Sequence, residues 1–102
     1  MPADLKQSIG TMWRRVPGAD LHWRLLDEQY VVYNGGSGHT HVLDPLAALV
    51  IQKMTDRACT TAKLVGEVGL LLNIGASDAF LAQLQQTLYQ LAELGLIEFV
   101  NP

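Results

Sequence analysis

Apolar residues recur along this chain with two different periods, and the change from one to the other falls near residue 44. Ahead of it, LHWRLL at residues 21–26 partly alternates, with Leu21, Trp23 and Leu25 on one side and His22 and Arg24 on the other. That is the pattern of a half-buried strand. Asp27-Glu28 supplies a turn, and QYVVY at residues 29–33 is rich in side chains that suit a pleated surface. So short a connection makes the two strands antiparallel. The run Asn34-Gly35-Gly36-Ser37-Gly38 offers several positions that tolerate positive φ, as a tight or bulged hairpin requires. A third strand over 38–43 then closes a meander.

The period changes without an intervening loop. Within SGHTHVLDPLAALV, residues 37–50, the strand runs into Asp44-Pro45, an aspartate able to accept from first-turn N–H groups followed by a proline that needs no N–H there. The helix that starts here has Leu46, Leu49 and Val50 at helical spacing, Ala47 and Ala48 between them, and an end near Thr55 and Asp56. Thr60 or Thr61 caps a second helix with an expected buried stripe of Leu64, Val68, Leu71 and Leu72; Gly66 and Gly69 weaken it while permitting close packing. A break over residues 73–76 leads to Ser77-Asp78 and a third helix reaching about Leu94, with Phe80, Leu81, Leu84, Leu88 and Leu91 on one face. Gly95 stops it in the left-handed conformation, and LIEFV, residues 96–100, returns as a short strand or extended tail.

Residues 1–20 hold no period long enough to define an element. They are expected to form an N-terminal arm, loose or with one short helix, whose Met12 and Trp13 pack back on the body or on a second subunit, with Arg14 and Arg15 as a solvated pair. Residues 21–102 form the domain. Three strands followed by three helices imply an α+β fold, a three-stranded antiparallel sheet followed by a three-helix bundle in a small winged-helix-like arrangement.

At 102 residues and 49% hydrophobic, the chain has room for one modest core. Seven Lys and Arg against ten Asp and Glu give a formal charge of -3, a field that repels polyanions. The third helix contains no Lys or Arg and so cannot neutralise a duplex backbone; nucleic acid is not an expected partner. A single cysteine, no secretory signal and no apolar run near the roughly 20 residues needed to cross a bilayer point to a cytoplasmic protein without a membrane partner.

Candidate chemistry is sparse. His39 and His41 alternate on a strand and so aim their imidazoles the same way, but zinc normally takes three or four protein ligands, and no third is assignable; solvent- or partner-facing histidines are the expectation, with no metal and no cofactor. Cys59 precedes a helix, yet no base can be paired with it. The glycines of NGGSG match neither dinucleotide nor P-loop spacing. Nothing argues for an enzyme. An interaction surface remains, for which the outer side of the third helix supplies Gln85, Gln86 and Tyr89.

The wording YNGGSGHTHVLDPLAALVIQKM, then a Thr-started helix, then SDAFLAQLQQTLYQLAELGLIE, resembles the PqqD family of peptide chaperones, recognition elements for ribosomally made peptides. Leu43-Asp44 stands where the family usually has Leu-Asn, Ala47-Ala48 follow, and LAELGL at residues 91–96 supplies the ending. With Trp23 upstream, SGHTHVLDPLAA is especially similar to a subgroup found beside HPr-kinase-related proteins. The match covers about residues 21–100; Asp44-Pro45 departs from the commoner Asn-containing helix start, and the arm has no counterpart. The resemblance implies a non-catalytic module that captures the leader of a precursor peptide by strand addition and presents it to a modifying enzyme. It further implies an edge at Thr40, His41, Val42 and Leu43, with Leu81, Gln85 and Leu88 on the helix side. The alternative is a protein–protein adaptor or regulatory homodimer working with an HPr-kinase-related partner.

Overall fold

A computed structural model describes residues 10–54, 57–75 and 77–100. The order of elements is β1 (Met12–Arg15), β2 (Leu21–Leu26), β3 (Gln29–Asn34), β4 (His39–Leu43), α1 (Pro45–Lys53), β5 (Cys59–Thr60), α2 (Thr61–Leu71), α3 (Asp78–Glu93) and β6 (Ile97–Val100). The expected meander is present: β2, β3 and β4 form an antiparallel sheet with β3 central, and Leu26 faces Gln29 across the first turn. Asp27 and Glu28 both take positive φ, 50° and 66°, the mirror-image turn whose twist matches the strands it joins. The second turn needs its glycines for space. A Cβ on Gly36 would lie 2.6 Å from the Gly18 carbonyl oxygen, and one on Gly35 would lie 2.7 Å from an Asp20 carboxylate oxygen. Asn34, buried beneath this turn, accepts from the Gly36 N–H at 2.9 Å and, at longer range, from Ser37 and Asp20.

The single expected sheet is joined by a second. Residues 12–15, placed by sequence in an arm or short helix, are a strand at the centre of the antiparallel sheet β5-β1-β6. Met12 pairs with Thr60 and Val100, and Arg15 with Ile97. Strands therefore do not simply precede helices, since β5 and β6 follow α1 and α3. Trp13 is buried, its Nε1–H donating to Thr61 Oγ1 at 3.0 Å, with the Tyr89 and Phe99 rings edge-on, each at a centroid distance of 6.0 Å. Arg14 and Arg15 are not merely solvated: Arg14 pairs with Glu98 at 2.6 Å, and Arg15 Nε donates to the Ile51 carbonyl.

All three helices start where the sequence says. Asp44, Thr60 and Ser77 are the N-caps, accepting from the backbone N–H of Ala47, Lys63 and Phe80. Their buried faces are turned slightly from expectation. In α1 the buried residues are Ala47, Ala48, Val50 and Ile51, with Leu46 and Leu49 only partly covered, because the small alanines take the closest approach. That helix ends at Lys53 with Met54 as its C-cap, and the expected terminus at Thr55 and Asp56 lies outside the described residues. In α2 the buried set is Thr61, Leu64, Val65, Val68 and Gly69. Leu71 and Leu72 of the expected stripe are exposed, for the chain leaves the body there through Asn73 at φ 60°. Gly69 is the close-packing glycine: a Cβ on it would meet the Ile74 carbonyl oxygen at 3.0 Å and the Phe80 ring at 3.4 Å, whereas Gly66 faces open space. Ala76, part of the expected break, is outside the described residues. Helix α3 buries Phe80, Leu84, Leu88 and Leu91, and ends at Gly95, φ 79°, where Leu96 N–H returns to the Leu91 carbonyl. No described helix is long and apolar enough to cross a membrane.

Candidate functional site

β4 is the last strand of its sheet, hydrogen-bonded to β3 on one side and to no described strand on the other. Its register against β3 sorts its side chains. His39, His41 and Leu43 lie opposite Asn34, Val32 and Tyr30, on the side that faces the core, and Leu43 is buried. Thr40 and Val42 lie opposite Tyr33 and Val31 on the outer face, where Val42 is 60% exposed. The expected edge residues are thus one continuous strand with an open side.

Asp44 fixes where that strand ends. Its carboxylate accepts from Ala47 N–H at 2.8 Å, so the chain passes from β4 into α1 with no slack. The C-terminal turns of α3 pack beside this corner. Between the two lies a groove of about 280 Å³. Val42, Leu43, Asp44 and Ala47 form one wall, and Gln90, Leu91, Glu93 and Leu94 the other. Its floor is apolar, and its carboxylates come from Asp44 and Glu93. Neither has an ion-pair partner among the described residues, and no Lys or Arg lines the groove.

The helix-side expectations fall elsewhere. Leu88 is fully buried, Gln85 is 2% exposed inside the core, and Leu81 is partly buried against it. A helical wheel sets Gln85 about 40° from Leu81, at the margin of the apolar stripe, where its polarity is a poor guide to its burial. The groove wall lies further along α3. Two cues in the sequence mark it: Leu94 continues the apolar residues past the stripe, and Glu93 is an acid in a last turn that has no base. Tyr89 is half exposed, as expected, but leans on Trp13.

Other candidate chemistry stays incomplete. The His39 and His41 rings stand 6.2 Å apart, with His41 Nε2 buried and lacking a hydrogen-bond partner among the described residues. The described residues hold no group of three or more His, Cys, Asp or Glu able to bind a metal ion. Cys59 is buried, its Sγ directed at the Lys53 carbonyl at 3.5 Å. One apolar surface was not anticipated: Leu70 at the end of α2 is 82% exposed, beside exposed Leu71 and Ile74. Comparison of the chain with protein-family models, with curated proteins and with solved structures finds no match.

Proposed function

We propose that this protein is a non-catalytic peptide-binding module that takes the leader segment of a ribosomally made precursor as an added strand on β4 and presents it to a modifying enzyme. The observation that carries the reading is the open side of β4 lying directly beside the α3 groove. An unpaired edge offers N–H and C=O groups in a row, which provide affinity for any extended chain, and an adjoining pocket makes that affinity selective. The PqqD-like wording of residues 21–100 supports the same reading, on which the meander and its helices stand in a winged-helix-like relation. On this reading the module is soluble and cytoplasmic. Leu43 positions the edge from beneath, Thr40, His41 and Val42 meet the incoming backbone, and the helix contacts shift from Leu81, Gln85 and Leu88 to Gln90, Leu91 and Leu94.

The test is an amide NMR titration with a precursor leader peptide, once sequencing of the adjacent reading frames identifies one. Perturbations confined to residues 39–44 and 90–94 are expected; their absence at saturating peptide would end the proposal. A second reading, a protein–protein adaptor or homodimer with a kinase-like partner, draws on the outer face of the same sheet. There Leu26, Tyr33 and Val42 are 51%, 44% and 60% exposed. Sedimentation over a range of concentrations, alone and with an HPr-kinase-related protein, distinguishes it: a strict monomer that binds no protein partner removes it.

A further inference from the structure

The groove carries two carboxylates with no Lys or Arg among the residues that line it. Glu93 sits in the last turn of α3, where the exposed carbonyl ends already concentrate negative potential and a carboxylate is at the unfavourable end of the helix. Asp44 faces the same space from the opposite wall. Its bond to Ala47 N–H uses one carboxylate oxygen, Oδ1, and leaves the other available. β4 and α3 contain no Lys or Arg, the histidines His39 and His41 of β4 do not line the groove, and the chain as a whole carries -3. Beneath the carboxylates the lining is apolar: Leu43, Ala47 and Leu91, with Leu94 42% exposed at the mouth.

A strand lying along β4 presents alternate side chains to one side. Two side chains directed at the groove therefore come from positions two apart, one reaching the apolar floor and one the rim. We propose that the groove selects peptides in which an apolar residue is followed or preceded, two positions away, by a lysine or arginine held between Asp44 and Glu93. The inference rests on the strand-addition reading and names the class of peptide it accepts, an apolar and basic segment rather than an acidic one. Each partly exposed ion pair is worth roughly twofold to fivefold in affinity, so the two together give about tenfold at low salt. Raising the ionic strength narrows that advantage, since the pairs lie near the surface.

The experiment is selection of a displayed library of random short peptides on the purified protein, and in parallel on the Asp44→Asn, Glu93→Gln double variant. Asparagine caps a helix as well as aspartate, so the corner keeps its shape while both charges go. The enriched peptides are then titrated by NMR. Enrichment of the apolar-x-basic pattern on the native protein, shifts at residues 42–47 and 90–94, and an approximately tenfold loss with the double variant are expected. Enriched peptides that shift those residues but carry no base, or bind the double variant equally, overturn the basic preference and leave strand addition standing. No enrichment, or shifts confined to other surfaces, overturns both.

Discussion

Replacing Thr61 with valine tests whether β1 belongs to the body of the fold. The two side chains have nearly the same shape, but valine cannot accept the hydrogen bond from Trp13 Nε1–H, 3.0 Å away. Thr61 is fully buried and Trp13 is 3% exposed, so no water can replace the lost acceptor. An orphaned buried donor costs about 1–3 kcal/mol. For a domain of this size that lowers the melting temperature by about 10 °C. Thr61→Ser keeps the acceptor and loses only a methyl, at about 1 kcal/mol. Urea unfolding followed by far-UV circular dichroism reads both without depending on tryptophan fluorescence. Trp13→Phe removes the donor instead, and combining it with Thr61→Val should cost less than the sum of the two by about 1 kcal/mol or more. A Thr61→Val protein within about 0.5 kcal/mol of the native one, or strictly additive losses, would refute the claim that this bond ties β1 to α2.

The glycines of α2 give a pair of opposite outcomes in thermal melts: Gly66→Ala stabilises by up to about 1 kcal/mol because it faces open space, while Gly69→Ala destabilises, its Cβ being driven against the Ile74 carbonyl oxygen. Asn34→Ala, which leaves the Gly36 N–H without its 2.9 Å acceptor under the second turn, costs about 1–3 kcal/mol in urea unfolding. Because that turn delivers β4, the variant should also broaden the β4 amide resonances. Leu94→Ser, at a groove residue 42% exposed, should weaken binding of a docked peptide severalfold in a titration while leaving stability within about 0.5 kcal/mol.

What the sequence discloses here is what short-range physics determines. Asp27-Glu28, the glycines of 35–38 and the alternation of 21–43 specify the meander; Asp44, Thr60, Ser77 and Gly95 specify the helix ends. Each of these acts within a few residues. The second sheet is different in kind, for MWRR is too short to show a period, and its partners at residues 59–60 and 97–100 are distant in the chain. Only the folded body tells Met12–Arg15 that it is a central strand. The candidate site divides in the same way. Its β4 wall follows from local pattern, but the α3 wall depends on how far the helix extends past the sheet, and that is a matter of packing. Gln85 misleads because a buried amide and an exposed one look alike in a sequence.

The clasp between β1 and β6 also implies an order in time. Arg14 and Glu98, which meet across it, are 84 positions apart. Closing a loop of that length costs about 4 kcal/mol in chain entropy, far more than either hairpin of the meander requires. Hairpins and helices are therefore expected to form first and the clasp last. A chain emerging from the ribosome can therefore set Trp13 against Thr61 and Tyr89 before residues 97–100 clear the exit tunnel, but completes the cover only when Phe99 closes edge-on over the ring.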